Sequence, residues 1–246
     1  MPTRRLLLVA AALLLISLLA HLPARLLIPD GPIGAIRLER IGGDWRHGVA
    51  MLTAPRPTPA LQLSWTLAPM RLLVGELTYG MRATGGGLRA DAEVALGVGG
   101  SLTLRTADLA WAPDAMPLRA PLPGTASFNA TLDLAQLVIV DGAVREAMGH
   151  LTVQDLRISA AGEQLRLGDF VSEISASDGA LRLPLRSSDG ELGISGELYL
   201  TPGGHLRGAL ILHPDARTPE RVMAAVTAFA RPLADGSYQI GIDLQL

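Results

Sequence analysis

The sequence lacks cysteine and lysine altogether, and each absence removes a class of function. Without cysteine, the 246-residue chain has no thiol nucleophile, disulfide or Cys-ligated zinc ion. Without lysine, it has neither a P-loop lysine nor a Schiff-base lysine. Charge is also scarce, since charged residues make up 18% of the chain and the net charge is −2. A chain so close to neutral has no long-range attraction for nucleic acid.

Motifs for catalysis and ligand binding are missing as well. The five histidines form no His-x-His or His-x-x-x-His pair that would favour a metal site. The sequence has no Gly-x-Ser-x-Gly nucleophile elbow. Its glycine-rich stretches 85–87 and 97–100 lie between predicted strands, so no helix N-terminus follows them to hold a phosphate. We therefore predict a protein that is not an enzyme and has no catalytic residue, cofactor or metal site.

The N-terminus carries the clearest signal. Arg4 and Arg5 precede residues 6–24, which are 19 residues without a formal charge and close to the roughly 20 that span a bilayer. A cleaved signal peptide and an uncleaved signal anchor both begin this way. No pair of small residues with the spacing of a cleavage site ends the run, which favours a transmembrane signal anchor. The positive-inside tendency then makes residues 1–5 a cytoplasmic tail and residues 25–246 a periplasmic β-rich domain.

Beyond residue 35 apolar and polar residues alternate, which is the period of a strand with one covered face. Residues 61–67 (Leu-Gln-Leu-Ser-Trp-Thr-Leu) are one example. Turn signals such as Asp178-Gly179 separate these runs, and Asp-Gly between alternating segments favours a tight hairpin. The predicted fold class is mainly β, with an N-terminal transmembrane helix followed by a curved antiparallel β-sheet and a short C-terminal helix.

Four segments depart from this alternation. Residues 69–74 predict a helical turn between two strands. A change of phase near 154–155 predicts a β-bulge. The proline-rich segment 111–124 is a candidate boundary between two sub-sheets. Residues 219–231 predict a helix with Thr218 as its N-cap, and its apolar stripe packs on the sheet through Val222, Val226 and Phe229.

Two tryptophans, Trp45 and Trp65, stand out in a chain whose aromatic content is 4%. Each ring either buries a large area at the start of the sheet or contacts a partner.

Around these tryptophans the sequence resembles the type II secretion system protein N family (GspN). Residues 42–50 are an imperfect match to a glycine-tryptophan turn of that family. The family string Trp-x-Leu-x-Pro-x-x-Leu-Leu-x-Gly-x-Leu is matched by Trp65, Leu67, Pro69, Leu72, Leu73, Gly75 and Leu77. The candidate site residues, as core or as partner contacts, are therefore Trp45, Trp65, Leu67, Pro69, Leu72, Leu73 and Gly75.

The resemblance implies a non-catalytic, single-pass component of the bacterial inner membrane with most of its chain in the periplasm. Such a component scaffolds or assembles the machine that exports folded periplasmic proteins through the outer-membrane secretin. The implied partners are the inner membrane, the secretin and other inner-membrane subunits of that machine. The alternative is an AsmA-like periplasmic lipid-binding or lipid-transfer protein, whose one-sided apolar sheet holds acyl chains. The length argues against that alternative, because a groove that bridges two membranes needs more strands, at about 4.8 Å each, than about 220 residues supply.

Overall fold

A computed structural model describes residues 23–24, 31–33, 36–53, 60–97, 99–113, 116–118, 124–160, 163–215 and 218–245. The predicted cytoplasmic tail and all of the predicted anchor except Pro23 and Ala24 lie outside these ranges. No helix within them is long and apolar enough to cross a bilayer.

Most of the described chain is β-strand. In chain order the strands are β1 (Gly31–Ile33), β2 (Ile36–Gly43), β3 (His47–Thr53), β4 (Leu61–Leu67), β5 (Leu77–Gly85), β6 (Leu88–Leu96), β7 (Leu102–Trp111), β8 (Met116–Leu118), β9 (Gly124–Val140), β10 (Ala143–Ala160), β11 (Glu163–Ser177), β12 (Ala180–Ser188), β13 (Gly193–Leu200), β14 (His205–His213), β15 (Arg231–Pro232) and β16 (Tyr238–Gln245). A 3-10 helix, Pro69–Val74, joins β4 to β5, and helix α1, Glu220–Phe229, follows β14.

These strands form a single curved antiparallel sheet, which confirms the mainly β prediction. Neighbours follow chain order from β1 to β7 and from β9 to β14, and then come β16 and β15, while β8 pairs with β9 beside this path. Strands β7 and β9 pair directly, from Leu102↔Ile139 to Trp111↔Ala130. The hydrogen-bonded ladder therefore continues past segment 111–124, and the sub-sheet boundary predicted there stays a prediction.

Local backbone geometry agrees with the turn and bulge predictions. Asp178 and Gly179 have φ of 50° and 76°, as a type I′ turn requires, and they join β11 to β12. In β10 the pairing with β11 shifts register between Val153 and Leu156, and Asp155 there has φ of 50°. The β-bulge predicted near 154–155 is confirmed.

Strand alternation gives the sheet an apolar inner face and a polar outer face. Directly opposed residues form an inner row that crosses seven strands and consists of Trp65, Met81, Ala92, Ala107, Leu134, Gly149 and Ile174. The adjacent row on the outer face begins with Ser64, Arg82 and Asp91. Polar and charged side chains on this face stay in contact with water, so the sheet needs cover on its inner face only.

Helix α1 covers part of the inner face. Val222 and Val226 are buried against a cluster that contains Phe170, Ile194 and Leu212, as predicted, whereas the side chain of Phe229 lies outside the described residues. The capping prediction was wrong, because α1 has no side-chain cap. The Thr218 hydroxyl instead donates to the carbonyl oxygen of Glu191 at 3.0 Å, which ties the start of α1 to the connection between β12 and β13.

Candidate interaction site around Trp65 and the 3-10 helix

Two connections meet at one rim of the sheet. His47 pairs with Thr66 and Gly48 pairs with Trp65, so the β2–β3 turn lies beside the end of β4, where the 3-10 helix begins. The N–H of Leu67 donates to the carbonyl of Arg46 at 2.6 Å and fixes this contact. We call residues 44–46 and 68–76 together the Asp44 rim.

Asp44 ties three parts of the chain together. Its Oδ1 accepts the backbone N–H groups of Arg46 at 2.8 Å and His47 at 2.7 Å, and the bond from His47 is the main reason that the pKa of Asp44 is lowered. Its carbonyl oxygen accepts the indole N–H of Trp65 at 3.3 Å. Its backbone also forms an isolated β-bridge with Pro23. Asp44 therefore holds the turn, the tryptophan and the end of the uncharged run.

Trp65 is a core residue of this end of the sheet. Its side chain is 7% exposed and packs in a cluster with Ala24, Leu38 and Ala50. The ring lies directly on Gly48, since a Cβ built on that glycine would stand 2.1 Å from Cζ2 of Trp65. Only glycine leaves room for the indole here, so the spacing of Gly48 and Trp65 across two strands makes the cluster possible.

The 3-10 helix occupies the residues that the sequence predicted as a helical turn, Pro69–Val74. At its start the N–H of Ala68 donates to the carbonyl of Thr78 at 2.8 Å. At its end the N–H groups of Gly75 and Glu76 donate to the carbonyls of Leu72 and Arg71, each at 3.1 Å. This is the Schellman pattern, and Gly75 supplies the left-handed backbone that it needs, with φ of 78°.

An ion pair fastens the end of the 3-10 helix to the middle of the sheet. Nη2 of Arg105 lies 2.6 Å from Oε2 of Glu76, and its Nη1 lies 3.4 Å from Oε1 of Glu93. Arg105 sits at a bulge in β7, where Glu93 pairs with Thr106 and the next residue pairs with Leu104. The hydrogen bond from Arg105 lowers the pKa of Glu76 and raises the pKa of Arg105 itself.

Although both of its ends are fixed, the 3-10 helix presents apolar side chains to solvent. The exposed fractions are 75% for Met70, 44% for Leu72, 81% for Leu73 and 70% for Val74. Four large apolar side chains exposed within six residues form a patch of the kind that marks a contact surface.

The structure brings all seven candidate residues to the Asp44 rim or the strand that leads into it, in three different environments. Trp65 and Leu67 are buried, Trp45 is half-buried in the β2–β3 turn, and the exposed members are Pro69, Leu72, Leu73 and Gly75. Their roles as partner contacts stay a prediction.

Sequence reasoning missed the residues that hold this rim together. Asp44 was detectable, because Asp ahead of a turn commonly accepts backbone N–H groups two and three residues later. The pair Glu76–Arg105 gave no local signal, because 29 residues separate its members. Within the part of the chain that the structure describes, no group of three or more His, Asp or Glu side chains is arranged to hold a metal ion.

Fold and site together define a mainly β protein with exposed apolar side chains at one rim of its sheet. A protein-family model described as type II secretion system (T2SS), protein N matches residues 34–241. Because this match spans most of the chain, the chain belongs to the type II secretion system protein N family, which confirms the resemblance seen in its sequence. Neither a search of curated proteins nor a search of solved structures found a match.

Proposed function

We propose that this chain is a non-catalytic, single-pass inner-membrane component of the type II secretion system. Its periplasmic sheet scaffolds or assembles the machine that moves folded proteins through the outer-membrane secretin. Its partners are the secretin and other inner-membrane subunits of that machine.

Family membership is the observation that carries this proposal. The match covers residues 34–241, which include nearly the whole described sheet together with the 3-10 helix and α1. The family is one of secretion components, so the expected role is assembly and contact with other subunits.

The single-pass anchor is supported by the sequence and by the packing of the last two residues of the uncharged run. Residues 6–24 carry no formal charge and follow Arg4 and Arg5, the arrangement of an anchor with its N-terminus in the cytoplasm. Pro23 forms a β-bridge with Asp44, and Ala24 is fully buried beside Trp65. Such packing suits a sheet that sits directly on its anchor without a free linker.

The experiment that tests the proposal is a gentle detergent extraction of the tagged full-length chain from its native cells. Everything that co-purifies is identified by mass spectrometry, and cells with the untagged chain provide the background. Recovery of the secretin and inner-membrane secretion subunits above this background is the expected result. Recovery of none of them would contradict the scaffold role.

The same eluate tests the lipid-binding alternative. The inner face offers half-buried leucines such as Leu183, Leu198 and Leu210 that acyl chains would contact. Stoichiometric phospholipid in the eluate without secretion subunits would replace the scaffold role by lipid binding.

A further inference from the structure

We propose that the 3-10 helix, Pro69–Val74, rests in the interfacial region of the lipid bilayer and forms a second membrane contact beside the anchor. This inference rests on the single-pass anchor of the proposed function, and it adds a lipid-binding site to the sheet itself.

The first argument is the exposure of the apolar side chains. Met70, Leu73 and Val74 are each at least 70% exposed. Burial of apolar side chains of this size is favourable, so a folded chain usually places them in its core. The helix is not a loosely held loop whose side chains collapse on the sheet, because the Schellman turn and the Glu76–Arg105 pair fix its end. The fold therefore holds these side chains away from the core.

The second argument is the position of the helix relative to the apolar run. Pro23 is the next-to-last residue of the uncharged run 6–24, and it forms a β-bridge with Asp44. Pro69 is two residues beyond Leu67, whose N–H bonds the carbonyl of Arg46 in the Asp44 turn. The 3-10 helix thus starts within about 10 Å of the turn to which the run is tied.

The third argument is the chemistry of the rim, which suits a bilayer interface. Exposed Met and Leu side chains, an exposed Arg71 and a half-buried Trp45 lie together, and interfaces favour this mixture of apolar, basic and indole groups. Three other connections on the same rim of the sheet have no large apolar residue, namely Asp141-Gly142, Asp178-Gly179 and residues 201–204 (Thr-Pro-Gly-Gly). The apolar patch lies at the rim where the chain enters the sheet, and the proposed anchor brings this rim to the bilayer.

The absence of cysteine makes a direct test simple, because each engineered variant carries one thiol. Full-length Leu73→Cys receives an environment-sensitive fluorophore and is reconstituted in vesicles of phosphatidylethanolamine and phosphatidylglycerol. The matched control is Val171→Cys, an apolar position that is 53% exposed on β11, five strand spacings and about 24 Å across the sheet from β5. Lipids with a nitroxide near the headgroup then quench any probe that reaches the interface.

The expected result is that the probe at Leu73 is quenched at least about twofold more than the probe at Val171, with Met70→Cys behaving like Leu73→Cys. Equal quenching at positions 73 and 171 in protein that floats with the vesicles would overturn the second contact and leave the anchor intact. Protein that does not float with the vesicles would contradict the anchor and the contact together. Cross-linking of Leu73→Cys to another secretion subunit in cells, without lipid quenching, would assign the patch to a protein partner instead.

Discussion

Strand β4 and the 3-10 helix that follows it have similar apolar residues and opposite environments. Leu67 at the end of β4 is 4% exposed, whereas Leu73 in the 3-10 helix is 81% exposed. Both belong to the same family string, and only six positions separate them. Their difference shows that residue type alone does not decide whether a residue of this string is part of the core or part of a surface.

The cause of the difference is backbone geometry. In β4 every second side chain points to the inner face, where neighbouring strands and the segment around Ala24 cover it. The 3-10 helix has three residues per turn, so its side chains do not alternate between the two faces of the sheet, and it lies beyond the ends of β4 and β5, where the strands do not cover them. Buried and exposed positions of the string therefore belong to separate elements, and mutations should distinguish their effects on stability.

The largest expected effect is that of Trp65→Ala. Removing a ring that is 7% exposed leaves a cavity over Gly48 and should lower the free energy of unfolding by about 3–5 kcal/mol. Urea unfolding of the full-length chain in detergent measures this change. Trp65→Phe keeps an aromatic ring but loses the hydrogen bond to Asp44, so its free energy of unfolding should fall by clearly less. An unchanged unfolding midpoint for Trp65→Ala would show that the ring is not a core residue.

Leu67→Ser and Leu73→Ser test the comparison directly. Leu67→Ser should lower the free energy of unfolding by about 2–5 kcal/mol, because it removes a buried side chain and buries a hydroxyl. Leu73→Ser should change it by less than about 0.5 kcal/mol, because its side chain is exposed. Equal losses of unfolding free energy in the same urea titrations would mean that Leu73 is packed against the rest of the chain. The two regions would then not differ in environment.

A smaller loss is expected for Gly48→Ala. The new methyl group would stand 2.1 Å from Cζ2 of Trp65, so the ring must move, and overpacking of this kind lowers stability by about 1–3 kcal/mol. The matched control is Gly241→Ala, another strand glycine, whose added Cβ would meet nothing within 4 Å. Thermal unfolding distinguishes the two variants, and similar melting temperatures would show that Trp65 does not lie on Gly48.

The smallest effect is expected at the ion pair between Glu76 and Arg105, which holds the end of the 3-10 helix. The hydrogen bond from Arg105 lowers the pKa of Glu76 below its ordinary value of 4.5, so the pair stabilises the fold above the unfolded-state pKa and stops doing so as the pH falls through the folded-state pKa. Glu76→Gln should therefore be less stable than the natural chain at neutral pH, and the deficit should shrink as the pH falls below 4.5. Urea titrations at several pH values measure it, with Glu173→Gln at an exposed carboxylate as the control. A deficit that is the same at every pH would show that the ion pair is not its cause.

Local sequence patterns were sufficient to predict the strands, the tight turns, the bulge in β10 and the 3-10 helix. Each of these depends on alternation, glycine or proline within a few residues. The pairing of β7 with β9, the insertion of β16 between β14 and β15, and the pair Glu76–Arg105 were not predicted. They depend on which distant strands become neighbours, and no short window of the sequence encodes that choice. The exposure of Leu73 was unpredictable for the same reason, since it depends on what covers the 3-10 helix.

The sheet is expected to stand in the periplasm at the end of an inner-membrane anchor, and cysteine labelling in cells tests this expectation most directly. Met148 is 65% exposed on the outer face of the sheet, and Thr3 belongs to the predicted cytoplasmic tail. With the outer membrane permeabilised, a membrane-impermeant maleimide should label Met148→Cys and should label Thr3→Cys only after the inner membrane is lysed. Protection of Met148→Cys until lysis would place the sheet in the cytoplasm and contradict the account.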